Sequence, residues 1–260
     1  MVKGAFIGKN LRKILTGFAL VWSLITRIPA PAFFAPAKSG LPTADDVVFL
    51  PLAGGLFGLL SALPAWLISP VIPPQGAAWL AAAVYTMLGW SLHLDGWADV
   101  CDGIGSGRRG DALRVVMKDP RVGAFGVAGV VIAIGTRAAL LGCIDPGRWL
   151  AACVISCGVG RFGAVAVIFP GKNPWTDGMA RDIVRNFGTR QLAFAVAVTC
   201  LMLPVWPAAW ALGMGASCAV GAVFALWAQR NMGGVSGDVI GAAAVLGEIL
   251  TMALCVALEK

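Results

Sequence analysis

The run His93-Leu94-Asp95-Gly96-Trp97-Ala98-Asp99-Val100-Cys101-Asp102-Gly103 places three carboxylates at the end of a long apolar stretch. At 100° per residue, Asp95, Asp99 and Asp102 fall within an arc of about 60° on one helical face, and Trp97 and Cys101 point elsewhere. Three like charges so close repel one another and are costly near a bilayer. Either most are protonated, or a cation sits between them. Carboxylate oxygens suit a hard ion such as Mg²⁺, and Mg²⁺ usually brings phosphate with it. Asp95, Asp99 and Asp102 are therefore the candidate metal ligands. A solvated acidic helix end is the plain alternative, and the apolar flanking face argues against it. Gly96 and Gly103 suit a helix that phosphate or another backbone must approach closely. His93, the single histidine, fits a hydrogen-bonded structural role as well as a catalytic one.

A basic segment follows, with Arg108, Arg109, Arg114, Lys118 and Arg121 close behind the aspartates. Its middle reads as a short amphipathic helix at the interface, ended before Pro120. Topological charge bias accounts for some of these cations. Phosphate binding is expected of at least one, because a metal-bound diphosphate needs counter-charges. Further on, Gly233-Gly234-Val235-Ser236-Gly237-Asp238 opens the last apolar run. Free N–H groups at such a helix start suit an anion, which makes Ser236 and Gly237 candidate substrate contacts. A turn with Asp238 as N-cap explains the same residues equally well. Glu248 falls inside the same run. It is either functional or protonated and hydrogen-bonded.

The elements that position these groups are membrane helices. Of 260 residues, 58% are hydrophobic and only 13% charged; a soluble domain carries about twice that charge. Apolar runs at residues 47–72, 76–92, 122–144, 149–169, 191–203, 208–228 and 239–258 predict an all-α polytopic membrane protein, a single domain over 1–260. The expected bundle has about seven transmembrane helices. Residues 191–203 are short for a span. Connections 93–121, 171–190 and 229–238 are basic, and those near Pro73, Asp145 and Pro204 are nearly neutral. Positive loops stay inside, so the basic three are expected on the cytoplasmic face. Lys3, Lys9, Arg12, Lys13 and Lys38 want that face too. The apolar run 14–28 between them then cannot cross, and it ends in Arg27, Pro29, Pro31 and Pro36. It reads as an N-terminal interfacial or re-entrant helix.

The net charge of +7 orients the chain and also suits an anionic substrate. No basic face repeats along a soluble domain, so nucleic acid is not an expected partner. The seven cysteines form no C-x-x-C pair, and neither a disulfide framework nor a zinc site is indicated. Cys153 and Cys157, four apart, read as packed neighbours. No P-loop, G-x-G-x-x-G or H-E-x-x-H signature is met. The N-terminus, basic and then apolar without a clear cleavage site, reads as retained.

The aspartate run resembles the H-L-D-G-x-A-D-x-x-D-G motif of the adenosylcobinamide-GDP ribazoletransferase (cobalamin synthase) family. Met117-Lys118-Asp119 with Arg121, Gly123 and Gly126 is similar to that family too. So are the tail Gly233-Gly234-x-Ser236-Gly237-Asp238-x-x-Gly241-Ala242, Thr26-Arg27-Ile28-Pro29-Ala30-Pro31 and Pro51-Leu52-Ala53-Gly54. The resemblance spans most of the chain in order. It implies a Mg²⁺-dependent integral enzyme of the cytoplasmic (inner) membrane, acting late in cobalamin biosynthesis. The enzyme would join adenosylcobinamide-GDP to α-ribazole or its 5′-phosphate and release GMP. Carried over, Asp95, Asp99 and Asp102 are metal-site candidates. Arg108, Lys118, Arg121 and Arg161 become candidate substrate contacts, and Asp102, Asp119 and Asp238 candidate catalytic carboxylates.

Two other functions compete. Asp99-x-x-Asp102-Gly103 resembles the opening of the CDP-alcohol phosphotransferase signature, whose later parts are not met at the required spacing. A divalent-cation transporter would instead place its essential carboxylates near mid-membrane. The oligomeric state is left open.

Overall fold

The computed structural model describes residues 2–31, 40–89, 91–176 and 178–259, with residues 2–10 described as backbone only. Pro36 and Lys38, which entered the topology argument, lie outside the described residues. The helices run in the order α1 (Val2–Ile25), α2 (Leu50–Ile68), α3 (Pro74–Leu88), α4 (Leu92–Gly105), α5 (Asp111–Met117) and α6 (Ala124–Leu141). They continue with α7 (Trp149–Ile168), α8 (Ala180–Asn186), α9 (Thr189–Cys200), α10 (Pro207–Met232) and α11 (Gly237–Ala257). Among the described residues there is no β-strand, only one antiparallel bridge between Thr26 and Gly89. The expected all-α membrane architecture is what the chain adopts.

Among the described residues, five segments are long and apolar enough to cross a bilayer: Val47–Ile68, Ala124–Leu141, Pro146–Ile168, Pro207–Met232 and Gly237–Ala257. The count of about seven is not reached on those criteria. Helices α3 and α9 form where apolar runs were expected, but with 15 and 12 residues they fall short of the roughly 20 that span hydrocarbon. Helix α1 is not among the five. Its Val21, Trp22 and Ile25 are buried in the bundle, and its end is tied to α3, where Arg27 N–H donates to the Leu88 carbonyl at 2.7 Å.

Helix α7 is the most enclosed of the five, with 83% of its apolar stretch buried. Small residues make that possible. A Cβ at Gly247 of α11 would lie 2.5 Å from the Gly160 carbonyl oxygen of α7, and one at Gly163 would lie 2.8 Å from that of Ala243. Without side chains at these points the backbones approach closely, which is how membrane helices gain packing energy.

The short helix α4 is wedged between α11 and α6. On one side, a Cβ at Gly96 would meet the Asp238 carbonyl oxygen at 2.7 Å, and one at Gly241 would meet His93 Cα at 3.1 Å. On the other side, Trp97 Nε1 donates to the Gly129 carbonyl of α6 at 2.9 Å. Helix α5 lies over Gly103 with Leu113 and Met117, both buried. The short helix expected ahead of Pro120 is thus present, and Leu113 and Met117 on its apolar face cover the aspartate helix.

Candidate active site

Helix α4, helix α5, the loop around Asn173 and the start of α11 enclose a cavity of about 330 Å³. All three basic connections contribute to it, so their expected convergence on one side of the bundle holds. Its polar end carries Asp95, Lys118, Ser236, Gly237 and Asp238, with Arg114 and Asn173 beside them. Its other walls are apolar, among them Leu24, Val47, Leu50 and Ile168. The arrangement suits an amphiphile whose charged end meets carboxylates and cations together.

The start of α11 is ordered by its own sequence. Gly233 takes φ +79°, a left-handed conformation that glycine adopts without strain. Ser236 is the N-cap: its Oγ accepts from Val239 N–H at 3.5 Å and donates to Asp238 Oδ2 at 3.2 Å. Asp238 is therefore not the cap. It stands in the first turn, with its backbone against Gly96 and its side chain in the cavity lining.

The three aspartates of α4 have three different environments. Asp95 is exposed and lines the cavity. Asp99 is half-buried one turn on. Burial, and then the charges of Asp238, Asp95 and Asp102, push its carboxyl up to about 7. Asp102 turns to the start of α6, where its carboxylate accepts Gly123 N–H at 2.7 Å and Gly126 N–H at 2.8 Å. It satisfies N–H groups at that helix start from a neighbouring helix. A Cβ at either glycine would collide with the Asp102 carboxylate. The sequence marked Gly123 and Gly126 as motif positions without showing why they are glycines.

Whether this set suits a divalent metal can be judged from its donors. Among the described residues, no three acidic, histidine or cysteine side chains converge into a closed metal site. The donors are nevertheless all carboxylate oxygens, and Asp99 feels three like charges at once. That chemistry fits Mg²⁺, which commonly takes only one or two carboxylates and fills its octahedron with water and phosphate.

The other candidates are dispersed. Arg108 is exposed and outside the cavity lining. Asp119 and Arg121 form a surface pair, with Arg121 Nη2 at 2.9 Å from Asp119 Oδ2, and edge a separate shallow groove. Hydrogen bonds from Arg121 hold the Asp119 carboxyl down to about 2, which makes it a weak proton acceptor.

Arg161 lies on the far side of His93, beside a small separate void that His93 also lines. It is 2% exposed and lies 2.7 Å from Glu248 Oε1, an ion pair without hydrogen-bond alignment. The other Glu248 oxygen accepts from Arg137 Nη1 at 2.9 Å and from the Tyr85 hydroxyl at 2.8 Å. Arg161 Nη2 donates to Tyr85 at 3.2 Å, and Arg137 Nη2 donates to Cys157 Sγ at 2.8 Å. Glu248 is thus paired within the bundle.

Sequence reasoning missed Asn173 and Trp175, which the cavity exposes. Their local signal is slight: an isolated polar and an isolated aromatic residue in a loop.

Residues 17–256 match the family model described as Cobalamin-5-phosphate synthase. The chain belongs to that family. It is 33% identical to the adenosylcobinamide-GDP ribazoletransferase of Geotalea daltonii, covering 89% of this chain and 93% of the relative. Proteins of the same name in Ralstonia nicotianae (32%, covering 93% and 95%) and Bradyrhizobium diazoefficiens (31%, covering 96% and 97%) are also similar. No solved structure matches the chain. Within this cobalamin-5-phosphate synthase family member, the matched region takes in α2 to α10, nearly all of α11 and hence every residue of the cavity lining.

Proposed function

We propose that the chain is an adenosylcobinamide-GDP ribazoletransferase of the cytoplasmic membrane, working from its cytoplasmic face late in cobalamin biosynthesis. The observation that carries this is one cavity with a mixed carboxylate and cation end, in a chain whose similar relatives bear that name. A ribazole hydroxyl oxygen forms a bond to the phosphorus attached to cobinamide. The bond from that phosphorus to the bridging oxygen breaks, and GMP leaves with the electron pair.

Lys118 and Arg114 line the cavity and supply positive charge to the phosphates. Ser236 and Gly237 at the start of α11 line the same cavity and add polar contacts for an anion. Asp238 is the carboxylate placed to take the hydroxyl proton, because it faces the cavity while Asp119 does not. Asp95 and Asp99 would hold Mg²⁺, and Asp102 keeps α4 aligned through α6. When bound, the ion would supply charge stabilisation to the diphosphate linkage as GMP leaves.

Purified protein in detergent, given adenosylcobinamide-GDP, α-ribazole 5′-phosphate and Mg²⁺, is expected to release GMP in step with the joined product. Absence of GMP from a folded sample given both substrates would reject the assignment.

A further inference from the structure

Trp175 is the one large aromatic ring among the described residues lining the cavity. The Arg114 guanidinium lies over it, 4.2 Å from the ring centroid. The loop beneath is held at several points. Trp175 N–H donates to Asn173 Oδ1 at 3.2 Å, and Arg185 of α8 donates to the carbonyls of Asn173 and Trp175, each at 3.0 Å. Asn173 Nδ2 donates to the Val235 carbonyl at 3.0 Å, and Val235 N–H donates to the Lys172 carbonyl at 2.7 Å. Val235 immediately precedes the Ser236 cap. The aromatic ring and the anion-suited helix start are therefore parts of one cross-linked unit.

We propose that the Trp175–Arg114 pair is a stacking platform for the planar heterocycle of a substrate. This rests on the proposed transferase reading. A flat bicyclic ring can lie on an indole or on a guanidinium plane, and such stacking is tolerant of ring identity. An already ordered loop loses little freedom when the ring arrives. The phosphate belonging to the same ligand then lies toward Lys118 and Ser236, which share the cavity. Both substrates carry a ring of this class, guanine in one and the ribazole base in the other.

The test uses full-length protein in detergent, with equilibrium dialysis of three probes: GMP, α-ribazole 5′-phosphate and ribose 5-phosphate, which has no base. Trp175→Leu keeps apolar bulk and removes the stacking face, and Trp175→Phe keeps a smaller one. Trp175→Leu is expected to weaken one or both ring-bearing probes by about fivefold or more, the lower end of measured base stacking. Ribose 5-phosphate should be unchanged, and Trp175→Phe should recover most of the loss. The probe that loses affinity identifies which ring stacks. Equal weakening of all three probes would mean general damage to the loop and overturns the platform. Unchanged binding of both ring-bearing probes overturns it as well, while leaving the transferase reading intact. If the unaltered protein binds neither ring-bearing probe, both fail together.

Discussion

The backbone of Asp238 rests directly on Gly96: a Cβ added to Gly96 would come within 2.7 Å of the Asp238 carbonyl oxygen and 2.8 Å of its Cα. That contact sets the distance between the aspartate helix and the start of α11. Gly96→Val must therefore push α4 away from α11. Overpacking of this kind costs about 1–3 kcal/mol, whereas displacing reacting groups by an ångström costs on the order of 100-fold in rate. Turnover should fall far more than the melting temperature. A variant that keeps normal GMP release would show that the spacing is not critical.

Asp102 should behave unlike its two neighbours. Its carboxylate is committed to the N–H groups of Gly123 and Gly126. Asp102→Ala leaves both donors short of an acceptor, at about 1–3 kcal/mol for a buried donor such as Gly126 and less for the half-buried Gly123. Asp95→Asn removes charge from an exposed position and should leave the melting temperature close to that of the unaltered protein. Thermal unfolding of both variants in detergent, beside their turnover, separates the anchor from the metal-site candidate. Equal stability of the two would refute the anchoring role.

Much of this was legible in the sequence, for physical reasons that differ by feature. The all-α membrane class follows from hydrophobic content, and the gathering of the three basic connections follows from charge bias along the chain. The spacing of Asp95, Asp99 and Asp102 placed them on one helix. It could not show that Asp102 would turn to α6, because that depends on how two helices pack. The Arg137–Glu248 pair joins residues 111 positions apart, and no local pattern encodes which faces of α6 and α11 meet. Trp175 owes its place to a loop held by hydrogen bonds from α8 and from Val235, and loops carry no periodicity. The span count missed for a simpler reason: apolarity marks α3 and α9 but not how many residues of each run stay helical.

The raised carboxyl of Asp99 has a pH signature. Its value of about 7 lies above the ordinary 3.8, so between these limits the folded protein keeps a proton that the unfolded chain has released. Stability from this group is full below about pH 4 and is lost as the pH rises through about 7. In EDTA, the melting temperature of unaltered protein should therefore decline relative to Asp99→Asn between about pH 4 and pH 7. The effect is reduced by solvent screening, since Asp99 is only half-buried. Mg²⁺ added at a pH just above that range should raise the melting temperature of unaltered protein and have less effect on Asp99→Asn. Parallel pH profiles for the two proteins would remove Asp99 from the account.

Topology can be tested separately from chemistry. The expected cytoplasmic face holds the cavity, so cysteines introduced at Arg109 and Lys172 should react with a membrane-impermeant maleimide only in inverted vesicles. Labelling of both from outside intact cells would reverse the orientation.

Glu248 lies between two guanidiniums, 2.9 Å from Arg137 and 2.7 Å from Arg161. Glu248→Gln removes the only acid in that group and leaves two buried cations facing each other. Breaking a buried ion pair costs about 3–5 kcal/mol, mostly through the charge left uncompensated. The variant should melt well below the unaltered protein even though it lies outside the cavity lining. Loss of stability alone would not distinguish charge from shape, and the neighbouring position does so. Val245 stands one turn earlier on α11 and lines the same small void as Arg137 and Glu248. Val245→Glu in the Glu248→Gln background returns a carboxylate to the two cations and should recover part of the melting temperature, whereas Val245→Gln should not. If both double variants melt alike, packing rather than charge pairing holds this part of the bundle.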